Sequence, residues 1–508
     1  MPMFDEYKQL IEQASARVYE VASHTALDPA AQLSEVLGNS IYLKREDRQQ
    51  VFSYKIRGAY NMMCSLGDDE KSRGVLAASA GNHAQGVALA ARKLDISATI
   101  VMPKTTPEIK VSGVRRLGGR VVLHGNTYDD AYQHAMELCR EQNSTYIPPY
   151  DHPLVIAGQA TVAVELMEQL PNVDYVFVPV GGGGLAAGMA LHIKKLNPAT
   201  RIVAVEPDEA ACLHAAMDQG ERVVLEHIGI FADGAAVKQV GEENFRICRE
   251  LVDEVLLVSV DEICAAVKDV FEDTRAIPEP AGALATAGMK QYVESRGIAG
   301  KNIAAVFSGA NVNFDRLRHI AELSALGEQK EALFCITIPE QPGSFRKLCH
   351  DLGPRPVTEF NYRYSDSKTA RVFAGIGLRH GVGEKESLLT SLREKGYEVL
   401  DMSNDELAKM HVRYMIGGSP QSLRDERLYR FEFPERAGAL LFFLTTMGDR
   451  FNISLFHYRN HGAAYGRVLL GVQVPSSELA DFQDVLVELG MDYSEESTNT
   501  AYRLFLGA

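Results

Sequence analysis

The chain has 508 residues, 46% of them hydrophobic and 23% charged, with a formal net charge of -15. This is the composition of a globular protein with length for about two to four domains and a large core. The acidity excludes a nucleic-acid binder but leaves the substrate open, because acidic proteins still bind anions in local basic or amide-lined pockets. The seven cysteines show no CxxC or finger spacing, which predicts reduced thiols. The 14 histidines include no HExxH or paired spacing, so no metal site is expected. Residues 1–20 are acidic and helix-patterned without a signal-type apolar core, and no apolar run is long enough to span a bilayer. A cytoplasmic protein without membrane contact is expected.

In chain order, Lys44 to Gln50 is dense in charge and leads to Lys55. Beyond it Ile56, Ala59, Tyr60, Met63 and Leu66 recur at helical spacing, which puts Lys55 in the first turn of a helix. The helix dipole and burial both disfavour an ammonium there, and a neutral lysine amine can form a Schiff base with an aldehyde. Taken alone, Lys55 reads far more readily as one of many surface lysines, and the other stretches change that balance. From about residue 40 to 320, apolar runs alternate with helical patterns. Strands are predicted at 74–79, 98–102, 120–123, 175–180, 201–206 and 302–307. Helices are predicted at 84–93, 107–117, 128–142, 160–169 and 186–196. This alternation means βαβ units and parallel sheet, with the chemistry in loops after the strands.

Three such loops stand out. Ser79-Ala80-Gly81-Asn82-His83 has small residues and a following helix whose amides suit a carboxylate, and Asn82 reads either as a cap or as a partner for an aromatic hydroxyl. Gly181-Gly182-Gly183-Gly184-Leu185 offers unhindered amides at a helix start, for which a phosphate is the natural guest. No Gly-Lys-Ser/Thr follows, so it is not a nucleotide P-loop. Ser308-Gly309-Ala310-Asn311 presents a hydroxyl that reads either as a partner for a ring nitrogen or as a helix cap.

Together these stretches resemble the fold-type II pyridoxal-phosphate enzymes, the threonine dehydratases in particular. Ser53 to Tyr60 looks like the family's lysine box, Ser79 to Gly86 like its asparagine loop, Gly181 to Leu185 like its phosphate loop, and Ser308 to Asn311 like its pyridine-nitrogen serine. Glu279-Pro280-Ala281-Gly282-Ala283 also looks like a family element. Tyr54, where the family commonly has Phe, and Ala160, in a loop Gly158–Thr161 that often has glycine there, depart from the pattern. The resemblance implies pyridoxal 5'-phosphate held on Lys55, which then removes the α-proton. It also implies phosphate on Gly181, Gly182, Gly183, Gly184 and Leu185, ring O3′ on Asn82, ring nitrogen on Ser308, and substrate carboxylate on Ser79, Ala80, Gly81, Asn82 and His83. A serine facing the ring nitrogen makes a weaker electron sink than an aspartate, which suits loss of a β-hydroxyl. Racemases of this type carry a serine where Ala80 stands, so elimination without racemisation is expected. Their divalent-cation site is not expected, because Glu206 has no second carboxylate near Ala210 to Cys212.

After about residue 325 the glycine loops stop, and Glu328 to Glu331 reads as a linker. An internal repeat follows. Ile338–Phe345 matches Phe433–Leu440 at a spacing of 95 residues, while Phe360–Arg363 matches Phe456–Arg459 and Arg371-Val372 matches Arg467-Val468 at 96. Each copy reads as a ferredoxin-like α+β unit, with helices at 343–352 and 438–447, and His411 to Gly418 reads as a strand and turn joining the copies. The copies resemble the ACT-like regulatory modules of biosynthetic threonine dehydratases, with Tyr362 and Tyr458 as allosteric candidates or, equally, as sheet-packing residues. The expected organisation is a catalytic domain of two parallel-sheet lobes at 1–325, then modules at 330–403 and 425–506. The resemblance implies conversion of L-threonine to 2-oxobutanoate and ammonia for isoleucine synthesis, inhibition by isoleucine opposed by valine, and a homotetramer. The alternatives are a dehydratase preferring L-serine and a non-catalytic amino-acid sensor on the same fold.

Overall fold

The computed structural model describes residues 2–328, 330–339, 344–353, 355, 357–363, 369–379, 381–414, 425–434, 443, 446–447, 451–459 and 465–506. The chain divides between Ser324 and Ala325 into two compact units. No helix among the described residues is long and apolar enough to cross a membrane.

The first unit holds two sheets. The strands are β1 (Leu27–Pro29), β2 (Ser40–Arg45), β3 (Val75–Ala78), β4 (Ala98–Met102), β5 (Arg120–Leu123), β6 (Thr145–Tyr146), β7 (Tyr175–Pro179), β8 (Arg201–Pro207), β9 (Glu254–Val258) and β10 (Asn302–Phe307). The larger sheet runs β1-β2-β10-β7-β8-β9 and the smaller β5-β4-β3-β6. Every pairing is parallel except β1 with β2. The chain leaves the large sheet after β2, builds the small one, and returns at β7. Buried apolar runs such as Ala304 to Phe307 in β10 are those of strands covered on both faces. Helices α1 (Lys55–Cys64), α2 (Asn82–Leu94), α3 (Glu108–Arg116), α4 (Pro153–Gln169), α5 (Gly184–Leu196), α6 (Cys212–Gln219), α7 (Pro280–Arg296) and α8 (Arg316–Gly327) surround the sheets.

Three elements differ from the sequence reading. Gly158 to Thr161 is the middle of helix α4, which starts at Pro153. Its Gly158 is required by a close crossing, since a Cβ there would lie 2.7 Å from the Gly58 Cα. The charged run before Lys55 begins in strand β2, whose Lys44 and Arg45 are buried and paired. Glu331 is the first residue of a strand rather than linker, and its carboxylate accepts two bonds from the Arg413 guanidinium at 2.8 and 2.9 Å.

In the second unit β11 (Glu331–Pro339), β12 (Val357–Arg363), β13 (Thr369–Gly377) and β14 (Glu398–Asp401) form an antiparallel sheet of order β12-β13-β11-β14. Helices α9 (Ser344–Leu352) and α10 (Gly381–Glu394) complete the ferredoxin-like pattern. The second copy has β15 (Glu426–Pro434), β16 (Asn452–Arg459), β17 (Tyr465–Gln473) and β18 (Tyr493–Glu495) in the matching order β16-β17-β15-β18. Most of its helix expected at 438–447 lies outside the described residues. In both copies the second strand carries a register shift, at Val357/Glu359 and at Ile453/Leu455. The expected strand at His411 is instead a helix at Glu406–Met410 and a 3-10 turn at Val412–Tyr414. The Asp405 side chain starts that helix by accepting from the Ala408 amide. The remainder of that joining segment, residues 415–418, is outside the described residues.

Candidate active site

Lys55 is the first residue of helix α1. The segment before it is laced to the segment after β10 by four contacts. The Tyr54 amide donates to the Ser308 carbonyl at 3.3 Å, Ser53 bridges Gly309, the Ala310 amide donates to the Phe52 carbonyl at 2.9 Å, and Asn311 Nδ2 donates to the Val51 carbonyl at 2.8 Å. The lysine box and the serine strip are thereby fixed to one another. Lys55 Nζ donates to the Pro149 carbonyl at 2.9 Å and lies 5.3 Å from the centre of the Tyr54 ring. Burial lowers this amine to about 8, with the Glu279 carboxylate pulling the other way. Helix α2 abuts Lys55, and a Cβ at Gly86 would come within 3.2 Å of the Lys55 backbone.

Lys44 of β2, Glu46 just beyond it, Arg57 of α1 and Glu165 of α4 form a buried cluster. Arg57 pairs with Glu46 at 2.8 Å and with Glu165 at 2.6 Å, and Lys44 pairs with Glu165 at 2.6 Å. All four side chains are wholly enclosed. Two cations face two carboxylates, so the cluster is balanced and needs no outside counter-ion.

The loop after β3 brings Ser79, Ala80, Gly81 and Asn82 to the same cleft, all partly exposed. A Cβ on Gly81 would meet nothing within 4 Å, so this face is open. Asn82 is held at both ends of its amide: Nδ2 donates to Glu279, and Oδ1 accepts from Asn311 Nδ2 at 2.7 Å. His83 is buried, and its Nε2 contacts the Ile147 carbonyl at 2.9 Å. Burial, with the nearby Lys55 charge, lowers it to about 3, so the ring is neutral and Nε2 is the protonated nitrogen.

The glycine loop opens helix α5, with Gly183 as its cap at φ +90, a conformation that suits glycine alone. The Tyr150 ring packs on the loop, and a Cβ at Gly182 would sit 2.3 Å from it. A Cβ at Gly181 would strike Ala235 at 2.9 Å. Contacts therefore run round a ring, from Gly182 through Tyr150, Pro149 and Lys55 to Ser308, Asn311, Asn82 and Gly234, and back through Ala235. The open space at Gly81, the first-turn amides of α5 and a neutralisable lysine amine fit a phosphorylated pyridine aldehyde. Ser308 Oγ donates to the Ala281 carbonyl at 3.3 Å, a long bond that leaves its hydroxyl able to turn.

Sequence reasoning named Glu279 and Asn311 only as parts of motifs and passed over Pro149 and Tyr150. Burial and the nearby Asp233 raise the Glu279 carboxyl to about 7. Asp233 in turn pairs with Lys110 of α3 and Arg316 of α8. Glu206 accepts from the Leu213 and His214 amides, each at 2.8 Å, and so anchors the start of α6. Tyr362 and Tyr458 belong to the second unit. Their backbones occupy equivalent places, opposite Val372 and Val468, and their side chains lie outside what is described.

A family profile described as pyridoxal-phosphate dependent enzyme matches residues 19–309. Another, described as the C-terminal regulatory domain of threonine dehydratase, matches twice, at 322–412 and 417–506. The protein named L-threonine dehydratase biosynthetic IlvA in Pasteurella multocida is 54% identical over 493 residues, 97% of this chain and 96% of the relative. The mitochondrial threonine dehydratase of Saccharomyces cerevisiae is 46% identical over 516 residues, 99% of this chain and 89% of the relative. Among solved structures, the processed form of threonine deaminase isoform 2 from Solanum lycopersicum superposes with a TM-score of 0.62 at 50% identity, covering 63% of this chain and 94% of that one. Maize serine racemase superposes at 0.58 and 32% identity, covering 61% and 95%.

Proposed function

The chain belongs to the family of biosynthetic L-threonine dehydratases, and on that premise we propose how its cleft converts L-threonine to 2-oxobutanoate and ammonia, the first step of isoleucine synthesis. Pyridoxal phosphate, the family's cofactor, draws electron density from the α-carbon of an amino acid joined to its aldehyde. Lys55 Nζ would hold that aldehyde and, with the substrate amine in its place, would take the α-proton, oriented by the Pro149 carbonyl. The amides and hydroxyl of Ser79 to His83 hold the substrate carboxylate against the start of α2. The first amides of α5, reached over Gly181 to Leu185, hold the phosphate. Asn82 would meet the ring hydroxyl and Ser308 the ring nitrogen. Ala80 has no proton to give at the opposite face of the α-carbon, so loss of the β-hydroxyl is the outcome. The eliminated product tautomerises, and water releases ammonia.

The observation that carries this reading is the Lys55 amine, lowered to about 8 by burial at the head of α1 and held near Ser308, whose carbonyl accepts from the amide of the preceding Tyr54. The twin modules support feedback by amino-acid effectors. We assign these as isoleucine, inhibiting, and valine, opposing it, with Tyr362 and Tyr458 as the contact candidates. We further propose a cytoplasmic homotetramer with a catalytic domain at 1–325 and regulatory domains at 330–403 and 425–506. The deciding assay is 2-oxo acid formation from L-threonine and L-serine, with and without isoleucine, for the natural protein and Lys55→Ala. Threonine turnover depressed by isoleucine and lost in the variant is expected. A Lys55→Ala protein of full turnover would overturn the assignment.

A further inference from the structure

Hydrogen positions on an asparagine amide are fixed by what its neighbours can accept. At Asn311 the neighbour is a backbone carbonyl. The Val51 oxygen only accepts, so the atom 2.8 Å from it is Nδ2, and Asn311 has no freedom to turn over. Its second Nδ2 hydrogen therefore points at Asn82, 2.7 Å away, and the Asn82 atom facing it is Oδ1. That sends Asn82 Nδ2 the other way, where it meets the Glu279 carboxylate, again an acceptor. The orientation of Asn82 thus follows from one immovable carbonyl, relayed through one side chain. One N–H of Asn82 then remains unassigned.

We propose that Asn311 is a positioning residue. By fixing the Asn82 amide, it makes that free N–H a permanent donor, so that the ring hydroxyl Asn82 meets is held in its anionic form. This rests on Asn82 being the partner of the ring hydroxyl. Asn311 acts through Asn82, to which its Nδ2 donates. Without Asn311 the amide is held at Glu279 alone, and a protonated Glu279 can donate to the Asn82 oxygen or accept from its nitrogen, so the amide can turn over and offer its oxygen to the ring hydroxyl, favouring the protonated form.

The test uses the holoenzyme and reads the visible absorbance of the bound cofactor against pH, for Asn82→Ala, Asn311→Leu and the double variant. Loss of one hydrogen bond to the anion is expected to move the titration midpoint by roughly 0.5–1 pH unit in each single variant. In the double variant, Asn311→Leu adds nothing to Asn82→Ala, because its only route is through Asn82. If Asn82→Ala moves the midpoint and Asn311→Leu does not, the relay is wrong while the assignment of Asn82 stands. If Asn82→Ala itself leaves the spectrum unchanged, the assignment fails and the relay falls with it. Additive shifts would likewise overturn the relay. Should Asn311→Leu not fold, Asn311→Ser keeps a donor in a smaller side chain, and a midpoint between the natural protein and Asn82→Ala is expected. A midpoint equal to that of the natural protein would count against the proposal.

Discussion

Lys55 donates its amine hydrogen to the carbonyl of Pro149 at 2.9 Å, across 94 residues of chain. The lysine is thereby aimed before any ligand arrives, but its charge is held where burial opposes it. Functional groups kept in such surroundings cost stability.

That cost is measurable. Lys55 sits at about 8 in the fold against an ordinary 10.5. Between these values the unfolded chain binds a proton that the folded chain does not. The penalty is therefore full below about pH 8 and gone above 10.5. Lys55→Met in the cofactor-free protein is expected to raise unfolding free energy at pH 7 by about 1–3 kcal/mol, allowing for partial exposure of the side chain, with the gain shrinking as pH approaches 10. Urea unfolding at the two pH values measures it, and equal stability of both proteins at pH 7 would refute it.

The cluster of Arg57, Lys44, Glu46 and Glu165 gives the opposite result. Arg57→Met leaves two enclosed carboxylates facing one ammonium, which should cost about 3–5 kcal/mol. Adding Glu165→Gln removes the surplus charge, so the double variant should lose less than the two single losses combined. Chemical denaturation of the four proteins decides it; strict additivity would mean that the pair is not coupled.

At Ala80 the change is a gain. Ala80→Ser puts a hydroxyl on the open side of the loop, and chiral analysis of L-serine incubations should reveal D-serine that the natural protein does not form. A variant that makes no D-serine while still eliminating would show that a proton donor at this position does not suffice.

Removing residues 328–508 should leave threonine turnover and abolish its depression by isoleucine. Inhibition that survives the truncation would move the effector site into the first unit.

What the sequence revealed and what it hid follow from distance along the chain. Lys55, the asparagine loop, the four glycines and Ser308 each lie in a short contiguous string whose local chemistry is readable. Glu279 and Asn311 reach the site through Asn82, from which they are 197 and 229 residues away. Strand β2 was concealed because Lys44 and Arg45 look solvated; both are buried by carboxylates, Lys44 by Glu165 from α4, Arg45 by Asp28 and Asp47. The start of α4 was concealed by Gly158, a weak helix former that a helix crossing requires. In the second unit the repeat disclosed the topology, and the side chains that would distinguish an effector contact from packing carry no such periodic signal.

The two register shifts, at Val357/Glu359 and Ile453/Leu455, stand 96 residues apart and interrupt the same strand of each copy. A bulge reverses which face the following side chains occupy, so it is an unlikely thing to acquire twice at one place. A shift shared at one place is what copying a strand that already carried it would leave. Since then the halves have drifted where the bulge is not involved: Glu331 answers to a guanidinium, whereas Glu426, its counterpart, takes a bond from the Tyr502 hydroxyl at 2.7 Å. One inherited kink and two divergent anchors are the record of a duplication whose descendants were free to become unequal.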